Sequence, residues 1–310
     1  EPALDAPAAT AGPREALESV TLTLEGRPLR RRMTLRLDAL IDAITPLSLE
    51  APIAADLALT HLPPTRRAGS KPFMIEGRNA DSGEWESPAP GQRYAEFQAG
   101  VQLANRAGAL NEIEYSEFVQ KVERFADGIG ARADLPDMLE VVARARELDA
   151  FAGQHDAQLA VRLVGRGVAW SVGYLQQQAG RHGFVPGVVP GRLILPAADE
   201  DGAAVAPPVL TLEFDPQAAL VDDPNRAPLR TAMLAFDVPQ TPAEAKPFAR
   251  WSALARALAD DLDADLLDDR GQALAEASFA AIERELEQLY AALAARDLAA
   301  GSAAARRLFA

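Results

Sequence analysis

The sequence predicts an α+β fold in which two domains of the same plan follow one another. The segment Val119–Ala131 aligns with Ser252–Ala264, and each copy follows a strand-like stretch and leads into a second amphipathic helix. A length of 310 residues suits two domains of typical size. The repeat is a whole domain long, far beyond the roughly 20–50 residue periods of solenoids. These observations favour a duplicated domain over one large enzyme fold.

Composition and pattern divide the chain into four parts. Residues 1–30 are rich in Pro, Ala and Gly without apolar periodicity, which predicts a flexible linker. The basic run Arg27–Arg36 is interpreted as a solvated approach to the first strand. Residues 31–153 form the first predicted domain and residues 154–298 the second. Residues 299–310 are rich in small side chains and are expected to be a frayed tail.

The first domain is predicted to begin with a strand over Leu37–Ile44 and a helix whose first turn starts at Pro52. A hairpin is expected around the turn Asn79–Gly83. Apolar and polar residues alternate over Tyr94–Leu103, which predicts an antiparallel strand with one solvated face. Two amphipathic helices complete the domain, with the apolar stripes Phe118, Val122, Phe125, Ile129 and Met138, Val142, Ala145, Leu148.

The start of a long helix is the strongest local signal of the second domain. Thr241 is predicted to cap this helix, with Pro242 in the first helical position and Glu244 bonding back to the Thr241 amide. The buried side chains are expected to be Phe248, Trp251, Leu254, Leu258 and Leu262, and those of a last helix Phe279, Ile282, Leu286, Leu289 and Leu293. The other predicted elements are strands at Leu159–Leu163, Arg192–Leu195, Val209–Phe214 and Thr231–Pro239, and a helix over Val168–Ala179.

Composition excludes several classes of function. The chain has no cysteine, which removes disulfides, thiol catalysis and Cys-based zinc sites. A net charge of −14 argues against binding nucleic acid and against a peripheral membrane protein that relies on basic patches. No stretch approaches the roughly 20 apolar residues of a membrane span. Because the first residue is Glu1 and not Met, we expect that a membrane anchor upstream has been cut away.

Motifs of enzymes and metal sites are missing from the sequence. His61, His155 and His182 lie far apart and form no metal-ligating pair, and no nucleophile elbow, P-loop or dinucleotide fingerprint is present. The acidic cluster Asp260–Asp269 lacks the residue order of a calcium loop and is interpreted as a helix end followed by a hairpin turn. We therefore predict no catalytic residues, no metal, no cofactor and no small-molecule substrate.

Several segments of the second half resemble the C-terminal domain of the ZipA family. The resemblance covers roughly residues 155–295, through Gln176–Gly187, Leu212–Gln217, Met233–Pro239, the helix Phe248–Leu262 and the turn Asp263–Gly271; the first half fits more loosely over about 35–152. It implies tandem split β-α-β domains, each an antiparallel sheet with helices packed on one face. It also implies a non-enzymatic cell-division adaptor that binds the C-terminal peptide of FtsZ in an apolar groove. Such a protein would be tethered at the cytoplasmic face of the inner membrane by a single N-terminal span.

Side-chain alternation locates the groove that this resemblance implies. In the strand Met233–Val238, we expect Leu234 to face the helices and Met233 and Ala235 to face solvent. The predicted peptide-binding residues are Arg162, Val164, Ile194, Thr211, Met233 and Ala235, with Arg162 as the partner of a carboxylate. The first half instead presents Glu96, Gln98 and Gln102 on its outward strand face, so it is predicted to be a structural or regulatory copy without a groove.

Two other functions remain open at this point. The chain would be a division scaffold if its halves bound each other or another protein, and then one half should cover the sheet face of the other. It would be an enzyme if a deep polar pocket held carboxylates with strongly shifted pKa values.

Overall fold

The computed structural model describes residues 36–197 and 207–310. The predicted linker over residues 1–30 and the basic run up to residue 35 lie outside the described residues. Two antiparallel sheets, each with helices packed on one face, confirm the predicted α+β class.

The first sheet has the strand order β2-β3-β5-β1-β8, with β4 paired to the end of β3. Every pairing in it is antiparallel. A separate ribbon joins β6 and β7. The strands are β1 Asp42–Ala54, β2 Arg67–Ala68, β3 Lys71–Asn79, β4 Trp85–Glu86, β5 Arg93–Gln102, β6 Ala104–Asn105, β7 Gly108–Ala109 and β8 Arg132–Ala133. The helices are α1 Ala55–His61, α2 Glu112–Ile129 and α3 Met138–His155.

The start of the first domain differs from its prediction. Residues 38–42 form a turn, in which the Asp38 carbonyl accepts from the amides of Ile41 and Asp42, so the strand begins at Asp42 and not at Leu37. The strand then runs through Pro52 to Ala54, and helix α1 begins only afterwards. Pro52 falls where the register against β5 shifts, and a proline is tolerated there because it has no amide to donate to the ladder.

The second sheet has the order β11-β12-β13-β15-β9-β16, and β10 and β14 form a separate ribbon. The strands are β9 Gln158–Gly165, β10 Trp170–Ser171, β11 Val185–Pro186, β12 Arg192–Leu195, β13 Leu210–Glu213, β14 Pro228–Leu229, β15 Thr231–Asp237 and β16 Ala264–Leu267. The helices are α4 Val172–Arg181, α5 Pro216–Ala219, α6 Pro247–Asp261, α7 Glu276–Ala294 and α8 Ala303–Leu308, with a 3-10 turn at Ala243–Ala245. Strand β16 lies in the acidic cluster that was interpreted as a helix end and a turn; it pairs with β9 at the sheet edge.

The two sheets share one connectivity. In each, the first long strand (β1 or β9) lies between the strand that precedes a helix (β5 or β15) and the short strand that follows it (β8 or β16). The connecting helices are α2 and α6, the helices of the aligned repeat. Tandem duplication stays a prediction, and the shared connectivity agrees with it.

Helix α2 shows how the first core forms. Asn111 and Glu114 make a complete capping box, and Gly130 ends the helix with φ +68°. The predicted stripe is buried: Phe118 packs edge-on against Phe73, and Phe125 packs edge-on against Phe97. Met138 in the second predicted stripe is an exception, since it is exposed at the start of α3.

The predicted cap of the second long helix is wrong. The Thr241 hydroxyl donates to the Asp237 carbonyl at 2.7 Å, and only a 3-10 turn follows Pro242. The helix itself begins at Pro247, after Lys246 with φ +49°. Its buried face is largely as predicted, with Trp251, Leu258 and Leu262 in the second core.

The C-terminal segment returns to the first domain, which contradicts the predicted frayed tail. Helix α7 contributes Phe279 and Leu286 to the second core but Leu293 to the first. Helix α8 buries Leu308 in the first core, and Arg307 pairs with the buried carboxylate of Asp42. The segment is therefore an integral part of the first domain, because its apolar side chains are buried in the first core.

Thr45 offers a test of the first core. Its side chain is fully buried, and its hydroxyl has no hydrogen-bond partner among the described residues. Because an unsatisfied buried hydroxyl costs about 1–3 kcal/mol, we expect Thr45→Val to raise the free energy of unfolding by about 1 kcal/mol or more. Urea unfolding measures this. Ser48→Val, at an exposed position of the same strand, is the control and should give a change within about 0.5 kcal/mol.

Candidate functional site

The outward side of the second sheet is the candidate site. Leu234 and Phe236 point to the other side, where they are buried among residues of α4, α6 and α7, as the alternation predicted. Residues that lie opposite one another on neighbouring strands share a face, so the register defines the outward side. We call it the outer face; it comprises Ala160, Arg162, Val164, Val185, Arg192, Ile194, Thr211, Glu213, Thr231, Met233, Ala235, Asp265 and Leu267.

The structure brings all six predicted site residues onto this face. One row across the sheet reads Arg192, Glu213, Met233, Arg162, Leu267. The next row reads Val185, Ile194, Thr211, Ala235, Ala160. Val164 lies beyond Met233, opposite Thr231 and Asp265. The rows therefore form a continuous surface of aliphatic side chains with charged groups along one row.

Burial separates these residues into a floor and a rim. Arg162 is exposed, and Val164, Ile194, Thr211 and Met233 are half-buried. Ala235 is fully buried, so its predicted exposure is wrong. It lies between Thr211 and Ala160 on the flanking strands. Ala235 therefore offers no exposed surface to a peptide. Met233, two residues earlier on the same strand, is larger and only half-buried.

The two arginines of the face differ in their partners. Arg192 is paired with Glu213 at 2.5 Å. Arg162 contacts only backbone carbonyls, those of Asp268 and Asp269 at 3.3 and 3.5 Å, and the described residues give it no carboxylate partner. Two long carbonyl contacts leave most of a guanidinium's five donors free. Arg162 is thus the cation of this face that is open to an anionic group.

A cavity of ≈ 290 Å³ lies where the face meets the first half. Its lining includes Thr211, Glu213 and Asp237 of the second sheet and Arg106 of the first half. Arg106 binds Asp156 at 2.5 Å and Asp237 at 2.6 Å. Burial raises the pKa of Asp237, and the Arg106 guanidinium opposes that rise. Because the carboxylate is held in an ion pair between the halves, this cavity is better explained as a domain contact than as a catalytic centre.

The first half leaves the outer face open. Ala160, Arg162 and Arg192 are all exposed, and the described part of the first half reaches the cavity at its edge only through Arg106. An occluded face was the arrangement expected of the scaffold. The open face therefore supports binding of an outside partner.

The matching face of the first sheet is partly closed by its own chain. A side chain at Gly100 would clash with Leu37, and the Leu37 amide donates to Glu76 at 3.1 Å. Gln102, predicted to be solvated, is buried and donates to the Arg307 carbonyl at 2.7 Å. The prediction for Gln102 is wrong because the C-terminal helix covers it.

Some outer-face residues escaped the sequence-based prediction. Leu267 and Asp265 lie on β16, whose four residues give too short an alternation to be recognised inside an acidic cluster. Val185 lies on a two-residue edge strand. Arg192 begins one predicted strand and Glu213 lies near the end of another, and their opposite charges at paired positions were the available signal.

Comparison with known families gives one match. Residues 222–285 match the family described as ZipA, C-terminal FtsZ-binding domain. The match covers about a fifth of the chain and includes β15, α6, β16 and part of α7, hence Met233, Ala235 and Leu267 of the outer face. No curated protein matches the chain.

Two further searches concern the described ranges alone. Across residues 36–197 and 207–310, no helix is both long and apolar enough to cross a bilayer. Within the same ranges, no three His, Asp or Glu side chains are grouped as metal ligands.

Proposed function

From the match of residues 222–285 to an FtsZ-binding domain family, we propose that this chain is a non-enzymatic cell-division adaptor. It binds the C-terminal peptide of FtsZ on the outer face of the second sheet. The observation that carries the proposal is the open apolar surface around Met233, which lies inside the matched segment. The proposed function also includes tethering of FtsZ to the inner membrane.

Binding would combine a shallow apolar contact with one charge. Val164, Ile194 and Met233 are half-buried, so part of their apolar surface remains for a peptide to cover. Fully burying such a side chain contributes about 1.5–3 kcal/mol to the free energy, and covering only its exposed part on binding contributes less. Arg162 lies directly opposite Met233 and would meet a carboxylate of the peptide. Because this ion pair would be exposed, we expect it to add specificity more than affinity.

The first half would have a supporting role. We propose that residues 31–153 do not bind the peptide, since Leu37 and the C-terminal helix occupy parts of the matching face. Residues 154–298 would carry the site, with the C-terminal residues completing the first domain. The scaffold function would lead if the open face bound no FtsZ peptide.

Met233→Glu tests the proposed site. The substitution places a charge on the floor of the face, where a peptide would have to desolvate it, so we expect affinity to fall at least about 10-fold. The measurement is a fluorescence-anisotropy titration of a labelled FtsZ C-terminal peptide against the full chain.

Leu220→Glu is the matched control for this titration. Leu220 is an exposed apolar residue of the same half, at the end of α5, and it does not belong to the outer face, so its substitution should leave affinity unchanged. Equal binding by wild type and Met233→Glu would remove the outer face as the site. A chain that bound no peptide in any form would contradict the proposed function itself.

A further inference from the structure

An exposed apolar patch lies on the first half, on the helix side of its sheet. Ile113 is 82% exposed, and Met138, which lines the same depression, is 38% exposed; Leu139, next to Met138 in the chain, is 73% exposed. We call these three residues the helix-start patch, because they occupy the first turns of α2 and α3. A group of exposed large aliphatic side chains is a candidate interaction surface.

The two helix starts are held rigidly. The side chains of Asn111 and Asp137 cap α2 and α3, and the Tyr115 hydroxyl donates to the Pro136 carbonyl at 2.6 Å. The patch is thus fixed before any partner arrives, which lowers the entropic cost of binding.

The surroundings of the patch are acidic. A depression of ≈ 480 Å³ is lined by Glu112, Ile113, Ser116, Glu117, Gln120 and Met138. Arg146 neutralises Glu112 and Lys121 neutralises Glu117. The exposed carboxylates of Asp137 and Glu140 have no cationic partner among the described residues, which leaves the patch with an excess of negative charge. A symmetric contact between two such patches would place like charges together, so the chemistry calls for an apolar segment that carries positive charge.

The sequence holds one segment of that chemistry. Arg27–Arg36 contains five arginines and no acid, interleaved with Leu29, Met33 and Leu35, and it is the most arginine-rich run in the chain. Arg36 pairs with Glu84 of its own chain at 3.4 Å, so the other four arginines are the ones offered to a partner. Leu37, where the described chain begins to pack, lies against Gly100. Gly100 alternates with the core residues Ala99 and Val101, so Leu37 is on the face opposite α2 and α3. The described chain therefore begins on the side of its domain away from the patch, which favours a partner copy as the acceptor of the segment.

We propose that the helix-start patch of one copy binds the segment Arg27–Arg36 of a second copy. Each copy has one patch and one segment, so the contact is head-to-tail and can join more than two copies. Such chains would array the outer faces of many copies. The association is electrostatic in part and weakens with salt.

Sedimentation velocity of the full chain tests this, over about 1–200 µM at low salt, near 20 mM. Wild type is expected to sediment faster as concentration rises, and about 0.5 M salt should reverse this. The patch variant Ile113→Glu with Leu139→Glu should remain a monomer. So should the segment variant Arg30→Glu with Arg31→Glu and Arg32→Glu. Val188→Glu, at a fully exposed turn of the second half, is the control and should associate like wild type.

Mixing the two defective variants gives the sharpest result. The patch variant still has its segment and the segment variant still has its patch, so the mixture is expected to form one-to-one dimers that grow no further. A wild-type chain that stays monomeric at every concentration would overturn the proposal. The segment would then bind either the patch of its own chain or no patch at all. Self-association of the segment variant alone would also overturn it, because the contact would then be patch to patch.

Discussion

Arg307→Met is expected to lower the free energy of unfolding by about 3–5 kcal/mol. Arg307 meets both carboxylate oxygens of Asp42, at 2.5 and 2.8 Å, with the Asp42 side chain fully buried and that of Arg307 only 10% exposed. Without the guanidinium, the Asp38 amide would be the one remaining partner of the Asp42 carboxylate among the described residues. Breaking a buried pair from one side leaves an uncompensated charge, which costs far more than the pair contributes.

Two variants make this result specific. Arg146→Met breaks the exposed pair with Glu112, whose side chains are 67% and 48% exposed, and should cost about 0–1 kcal/mol. The double variant Asp42→Leu with Arg307→Met removes both charges and should recover much of the loss. Urea unfolding of the full chain measures all three. If Arg307→Met were as mild as Arg146→Met, the C-terminal helix would not be part of the first domain.

Trp251→Ala is expected to cost a similar amount, about 3–5 kcal/mol. Trp251 is fully buried in the second core, and its ring packs near Phe279 with 5.9 Å between ring centroids. Its indole N–H donates to the Leu234 carbonyl at 3.0 Å, in the strand that carries Met233. The substitution therefore creates a cavity in the second core. It also removes the hydrogen bond that links α6 to β15, the strand that carries Met233.

Phe248→Ala is the matched control on the same helix. Phe248 is only half-buried, so less apolar surface and no hydrogen bond are lost, and the cost should be clearly smaller. Equal costs for the two substitutions would show that the helix is not anchored through Trp251. Thermal and urea unfolding both report this difference.

Side-chain alternation predicted much of the fold because it follows directly from burial. The strand over Tyr94–Leu103 and the split of Leu234 from Met233 were recognisable, since one face of each strand packs on helices. The same alternation placed all six site residues on one face. It did not predict the burial of Ala235, because alternation gives the face on which a side chain lies and not how far other residues cover it.

Tertiary competition explains the elements that were not predicted. Thr241 has the sequence context of a helix N-cap, but its hydroxyl donates to the Asp237 carbonyl at the end of β15. The true capping box, Asn111 with Glu114, lies at the start of α2. Strand β16 and the buried C-terminal helix are set by pairing and packing with residues distant in sequence, which local patterns do not report.

The most direct test of the central claim is an NMR map of the FtsZ C-terminal peptide on the full chain, from backbone amide shifts. The account predicts that the largest shifts fall on β9, β13 and β15 around Arg162, Thr211 and Met233, with little change in the first half. Shifts confined to the helix side of the second sheet, or to residues 36–153, would contradict it.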